Sequence, residues 1–166
     1  MNSPSSPVGI HPIRALQSSP EPHDGDFEVQ RQPSVAAACP SFWATYHGGR
    51  WQCGGWPDGT REEHCRACDR MRDDSPVGIA QFERGFFIDH RRELTQLIHQ
   101  HEAKAKAKHP RDRIVSIEDG TRGILVTTTD IDLARELGEA LHHAYQGELE
   151  LHYNGAKKLL RVHWRR

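Results

Sequence analysis

Four cysteines are the residues in this 166-residue chain best suited to chemistry. Cys65-Arg66-Ala67-Cys68 has the tight two-residue spacing of a zinc knuckle. With Cys39 and Cys53 it makes a four-ligand set, Cys39, Cys53, Cys65 and Cys68, for one zinc ion. The first half of the set is irregular, because Cys39 and Cys53 are far apart. A regular ribbon carries a second close pair, and Phe42 stands where its second cysteine would be. His47 and His64 are reserve ligands. Two other readings stay open: a site that has lost its metal and keeps inert thiols, and a redox pair. A redox pair needs a cysteine opening a helix after a strand, the context that depresses a thiol pKa, and the sequence predicts no such strand and helix around Cys65. A catalytic zinc needs an open position and a nearby base, for which Glu62, Glu63 and His64 are the neighbours in sequence.

Other residue patterns carry weaker chemistry. His99 with His101, and His142 with His143, lack the three- or four-residue spacing that puts two ligands on one helix face. Thr127-Thr128-Thr129-Asp130 ends a strand and starts a helix, where exposed amides could hold a phosphate or carboxylate; the plainer reading is β propensity followed by a cap. The chain has no GxxxxGK[ST] phosphate loop, no GxSxG elbow and no HExxH. The aromatic doublets of an RNA-recognition sheet are also missing. Two basic clusters remain as candidate nucleic-acid contacts: Lys104, Lys106, Lys108, Arg111 and Arg113, and Lys157, Lys158, Arg161, Arg165 and Arg166. The competing reading is an ordinary solvated surface. The net charge is −1, and residues 77–166 hold 15 Lys/Arg against 13 Asp/Glu, a weaker excess than dedicated nucleic-acid domains show.

Three regions position these residues. Residues 1–38 hold six of the ten prolines and few apolar residues, so a disordered Pro-rich tail is expected. Residues 39–76 form a cysteine-, glycine- and tryptophan-rich module and connector with few aliphatic residues, the composition of a zinc-ribbon-like unit that needs a metal as its core. Residues 77–166 read as an α+β domain. The spacing predicts a strand over 77–83, a helix from an Asp89 cap to Lys108, strands over 113–118 and 123–129 around an Asp119-Gly120 turn, and a helix over 131–146. A final hairpin follows, in which Leu151 is expected opposite Leu160 and Leu149 opposite Val162. Gly138 inside the second helix marks a close approach to the sheet or to the other helix. This order is the ferredoxin-like βαββαβ with an extra C-terminal strand.

From Cys39 onward the chain resembles an uncharacterised family of small bacterial CxxC proteins. Gly49-Arg50-Trp51, the run from Cys65 to Asp74, and Val126-Thr127-Thr128-Thr129-Asp130 carry the resemblance, with Leu133-Ala134-Arg135 and Gly138-Glu139-Ala140-Leu141-His142 beyond them. More distantly the layout resembles the N-terminal region of the nuclear-export adaptor for the large ribosomal subunit and its archaeal relatives. That resemblance implies a zinc module beside a compact α+β region and a role with RNA or ribosomal particles. The chain departs from both patterns at Phe42, where the family places a cysteine.

Three functions follow as expectations: a non-enzymatic zinc-binding adaptor for RNA or a ribosomal particle, a protein-interaction module, and a small zinc- or thiol-dependent enzyme. No stretch approaches the ~20 apolar residues of a membrane span, and the start lacks a secretory signal pattern, so a cytoplasmic protein with reduced thiols is expected.

Overall fold

Segments that alternate apolar and polar residues become strands, and segments with apolar residues three and four apart become helices. A computed structural model describes residues 13–17 and 36–166. In chain order the elements are β1 (Ile13–Gln17), β2 (Ala37–Cys39), β3 (Ala44–His47), β4 (Arg50–Cys53), β5 (Arg61–Glu62), α1 (Arg66–Arg72), β6 (Gly78–Glu83), α2 (Arg84–Asp89), α3 (Arg91–Lys108), β7 (Ile114–Gly120), β8 (Gly123–Thr128), α4 (Ile131–Tyr145), β9 (Glu148–Asn154) and β10 (Leu159–Arg165). They make an α+β structure with a six-stranded sheet, β1-β9-β10-β6-β8-β7, and a four-stranded sheet, β4-β3-β2-β5.

The large sheet buries one face. Leu149, Leu151 and Tyr153 of β9, Leu160, Val162 and Trp164 of β10, Ala80 and Phe82 of β6, and Ile124 and Val126 of β8 belong to one core with Leu94 and Ile98 of α3 and Leu133, Leu137 and Leu141 of α4. Removing each of the larger of these side chains from water contributes about 1.5–3 kcal/mol. Trp164 is fully buried, and its indole N–H donates to the Gln146 carbonyl at 2.9 Å, so no polar atom of the ring is stranded. Asp130 caps α4 by accepting from the Asp132 and Leu133 amides.

Several local expectations change. β10 lies between β9 and β6, antiparallel to the first and parallel to the second. In a simple ferredoxin-like sheet the last strand of the βαββαβ unit lies beside the first; here the added strand takes that place and displaces β9 outward. The hairpin register is slipped by two from the expected one: Leu151 faces Val162 and Leu149 faces Trp164. A slip of two keeps every side chain on its face, and this register adds the Tyr153–Leu160 pair and an ion pair from Arg165 to Glu148 at 2.5 Å. The helix expected from an Asp89 cap to Lys108 is α3, capped one residue later at His90, and an unexpected short helix, α2, precedes it and ends at Asp89. The β7–β8 turn sits at Thr121-Arg122, because Gly120 already pairs with Gly123.

Part of the expected tail is ordered as well. β1 runs parallel to β9, from Ile13 beside Leu149 to Gln17 beside Tyr153, while Ala37 and Ala38 belong to β2. An edge strand is held by main-chain hydrogen bonds to its neighbour, so it does not require the composition of a core segment. The rest of the expected tail, residues 1–12 and 18–35, lies outside the described residues.

Gly138 does mark a close approach to the sheet. A Cβ there would lie 2.4 Å from Val162 Cγ1 and 3.0 Å from Leu149 Cδ1. Gly138→Ala gains about 1 kcal/mol of helix propensity but overpacks the helix–sheet contact, at a cost of about 1–3 kcal/mol. The urea midpoint of the variant is expected to fall; a rise would mean that α4 does not sit this close to β10.

Candidate metal centre

The small sheet delivers three cysteines to one point. Cys39 is the last residue of β2. β5 returns the chain parallel to β2, with Ala37 beside Arg61 and Ala38 beside Glu62, and the Glu63 amide donates to the Ala38 carbonyl at 2.9 Å. Two residues later Cys65 takes the N-cap position of α1 without a side-chain capping bond, so the CxxC does open a helix after a strand, contrary to expectation, and Cys68 lies in the first turn of that helix. Cys39 Sγ and Cys68 Sγ are 3.4 Å apart, Cys65 Sγ and Cys68 Sγ are 3.9 Å apart, and all three sulfurs lie within 4.8 Å of one another. A tetrahedral ion with metal–sulfur bonds of about 2.3 Å sets its ligands about 3.8 Å apart, so these separations suit a shared metal ion. Cys39, Cys65 and Cys68 could therefore hold one.

The surroundings favour thiolates unevenly. Burial pushes the Cys39 thiol up, but the Cys65 amide, the Cys68 side chain and the Phe42 amide outweigh it and hold Cys39 below its ordinary value. Burial dominates at Cys65 and raises it strongly, against the Cys68 amide, with the neighbouring Cys39 and Cys68 adding to the rise. Burial also raises Cys68, against a hydrogen bond from Ser41. Amides aimed at sulfur support a metal-bound thiolate, and a cation is what lets three such groups ionise side by side.

The fourth expected ligand does not join the set. The β3–β4 register places Cys53 opposite Ala44, exposed, and its Sγ donates to the Lys106 carbonyl at 3.4 Å. His47 and His64 are also exposed and stand outside the trio. Among the described residues, none of the histidine pairs joins a group with metal-holding spacing. The trio sits instead in a small cluster of Cys39, Ala44, Cys65 and Ala67, with Phe42, Trp51 and Cys68 packed against it.

The basic residues are dispersed. Arg113 stacks over Phe42 at 4.7 Å and Arg111 over Trp51 at 5.7 Å. Lys106 pairs with Glu102 at 3.2 Å. Arg165 pairs with Glu148, while Arg166 lies over Phe86 and donates to the Tyr145 carbonyl. Lys104, Lys108, Lys157, Lys158 and Arg161 are exposed. Lys157 and Lys158 lie before β10 and Arg165 and Arg166 at its far end, about 20 Å apart at strand rise, so the second cluster is not one patch.

The sequence reading also passed over an aromatic corner. Trp43 has φ 50° and is 70% exposed, and its ring centroid lies 5.6 Å from that of Trp56, which is 36% exposed. A bulky residue at positive φ is unusual, and neither its type nor its spacing announces it.

Among the described residues no helix is long and apolar enough to cross a membrane. Compared with known proteins, the chain matches no family model, no curated protein and no solved structure.

The trio makes a direct test. Cys65→Ser and Cys39→Ser are expected to lose bound metal in elemental analysis of protein purified without chelator, while Cys53→Ser keeps the wild-type content. Metal loss in Cys53→Ser would restore the four-cysteine set.

Proposed function

We propose that the chain is a non-enzymatic zinc-binding adaptor, a zinc-ribbon-like module on a ferredoxin-related domain, that associates with RNA or a ribosomal particle. The observation that carries the zinc reading is the separation of three sulfurs by tetrahedral-edge distances. Thiolates select soft and borderline ions, and among these zinc suits an all-sulfur tetrahedral site. Three cysteines leave one position of a tetrahedral ion for a donor from elsewhere. An adaptor role is favoured over catalysis by burial. Cys39 is fully buried, Cys65 nearly so and Cys68 half-buried, which leaves little of the sulfur cluster open to a substrate, and Glu62, Glu63 and His64 are exposed.

The RNA reading draws on the Trp43–Trp56 corner, because exposed aromatic rings stack on unpaired bases. Exposed Lys104, Lys108, Lys157, Lys158 and Arg161 supply charge for phosphates. The distant resemblance to the ribosomal export adaptor points to the same partner class. A protein partner is the second reading, favoured by the internal engagement of Arg111, Arg113, Arg165 and Arg166.

Sedimentation of the tagged protein from a native lysate at low and moderate salt separates the two. Co-migration with ribosomal particles that weakens as salt rises, and weakens further in Trp43→Ala, is the expected result. Migration as a free small protein at both salts overturns the RNA reading and leaves the protein-partner reading. Separately, stripping zinc with a chelator is expected to raise the proteolytic sensitivity of the module at residues 39–76 and to leave the large sheet protected.

A further inference from the structure

Away from the sulfurs, the structure has a cleft of about 340 Å³ between α1, the connector at Ser75–Val77, the start of α4 and the turn from β9 to β10. Its volume falls in the range of small-ligand pockets. Arg66, Arg70, Lys157 and Lys158 line it. They reach it from two parts of the chain far apart in sequence, the metal module's helix and the C-terminal hairpin.

The carboxylates in the same wall are already engaged. Asp69 and Asp73 each pair with Arg72 at 3.1 Å, and Arg72 does not line the cleft. Asp130 accepts the Asp132 and Leu133 amides at 2.8 and 3.2 Å. Arg70 donates one guanidinium N–H to the Thr129 carbonyl at 2.7 Å, which anchors that side chain at the cleft wall. By formal charge the lining holds four basic side chains, Arg66, Arg70, Lys157 and Lys158, against three carboxylates, Asp69, Asp73 and Asp130, and arginine and lysine together suit a phosphate: a planar fork for two oxygens beside point charges for the third.

We infer that this cleft binds the phosphate group of a small phosphorylated molecule of nucleotide size. The concave wall favours a compact ligand over a polymer backbone, which would lie along an open surface. The basic side chains lining the cleft carry this independently of any RNA partner. The cleft is tied to the metal centre by α1, which begins at Cys65 and contributes Arg66 and Arg70.

Titration calorimetry on the full zinc-loaded chain tests it, with inorganic pyrophosphate and adenosine 5′-monophosphate as probes and adenosine as the phosphate-free control. Both phosphates are expected to bind and adenosine not to. The Lys157→Ala/Lys158→Ala double variant, whose substitutions lie in an exposed turn, is expected to weaken binding at least tenfold. Arg66→Ala is expected to weaken it as well, and Arg91→Ala/Arg92→Ala, an exposed pair outside the cleft lining, to leave it unchanged. Absence of phosphate binding at millimolar concentration overturns the inference. So does equal weakening by the Arg91/Arg92 pair, which would mean diffuse electrostatics. Tighter binding of a single-stranded oligoribonucleotide without terminal phosphates, lost in the same double variant, replaces the small ligand with a polymer. Ribosome co-migration that survives the double variant leaves the adaptor reading standing whatever the cleft does.

Discussion

Three sulfur atoms within 4.8 Å of one another are the constraint on which the N-terminal module depends. Two thiolates about 4 Å apart repel by about 4 kcal/mol even at an effective dielectric constant of about 20. Without a cation, protonation is the escape; burial first, and the neighbouring sulfurs after it, raise the Cys65 and Cys68 thiols in that direction. The module has little else to close it. The side chains buried around the sulfurs are small, Ala44 and Ala67, and the strands are two to four residues long. A bound metal would do the work of the missing aliphatic core, as structural zinc does where binding supplies roughly 10 kcal/mol or more.

The module is also fastened to the α+β domain, and that fastening explains why basic residues crowded in sequence do not form a patch. Arg113 and Arg111 follow α3 and lay their guanidinium groups over Phe42 and Trp51, the rings that cover the sulfur cluster. Such contacts contribute about 0.5–2 kcal/mol each, according to how far water is excluded. Cys53 bonds the end of α3, and Arg70 bonds Thr129 at the start of the α4 cap. Phe42, where a cysteine was expected, thus has a role of its own: it offers a ring face to Arg113 in place of a fourth thiolate.

What the sequence disclosed divides along a physical line. Periodicity reports which face a residue takes, so the strands over 78–83 and 148–154, the stripe Leu133-Leu137-Leu141 and the tight approach at Gly138 were all legible. Register and partner choice are not written in periodicity. A hairpin slipped by two shows the same alternation, which is why Leu151 was paired with Leu160 rather than Val162. Ligand spacing likewise located Cys65 and Cys68, which are local, and brought in Cys39. It gave Cys53 equal standing, because only the β3–β4 register turns that thiol away. β1 was missed for a further reason: its neighbour β9 lies more than a hundred residues along the chain.

The insertion of β10 beside β6, the least legible feature of the topology, is also what makes the second half of the molecule more than a platform for the first. Because β10 runs parallel to β6, with Leu160 beside Gly78, the start of the last strand must sit beside the start of the first strand of the domain. The Leu160 amide donates to the Val77 carbonyl at 2.8 Å, and the Val77 amide to Thr128 at 3.1 Å. That point is where the connector from α1 enters. Had the final strand added itself outside β9, Lys157 and Lys158 would lie a strand further from the connector. Placed inside, the hairpin turn meets α1, and residues separated by some ninety positions share a wall. The same packing forbids a side chain at Gly78, where a Cβ would fall 2.2 Å from Thr128 Oγ1 and 2.6 Å from the Ala134 Cβ. Strand order, rather than any local motif, is therefore what joins the cysteine module's helix to the C-terminal lysines.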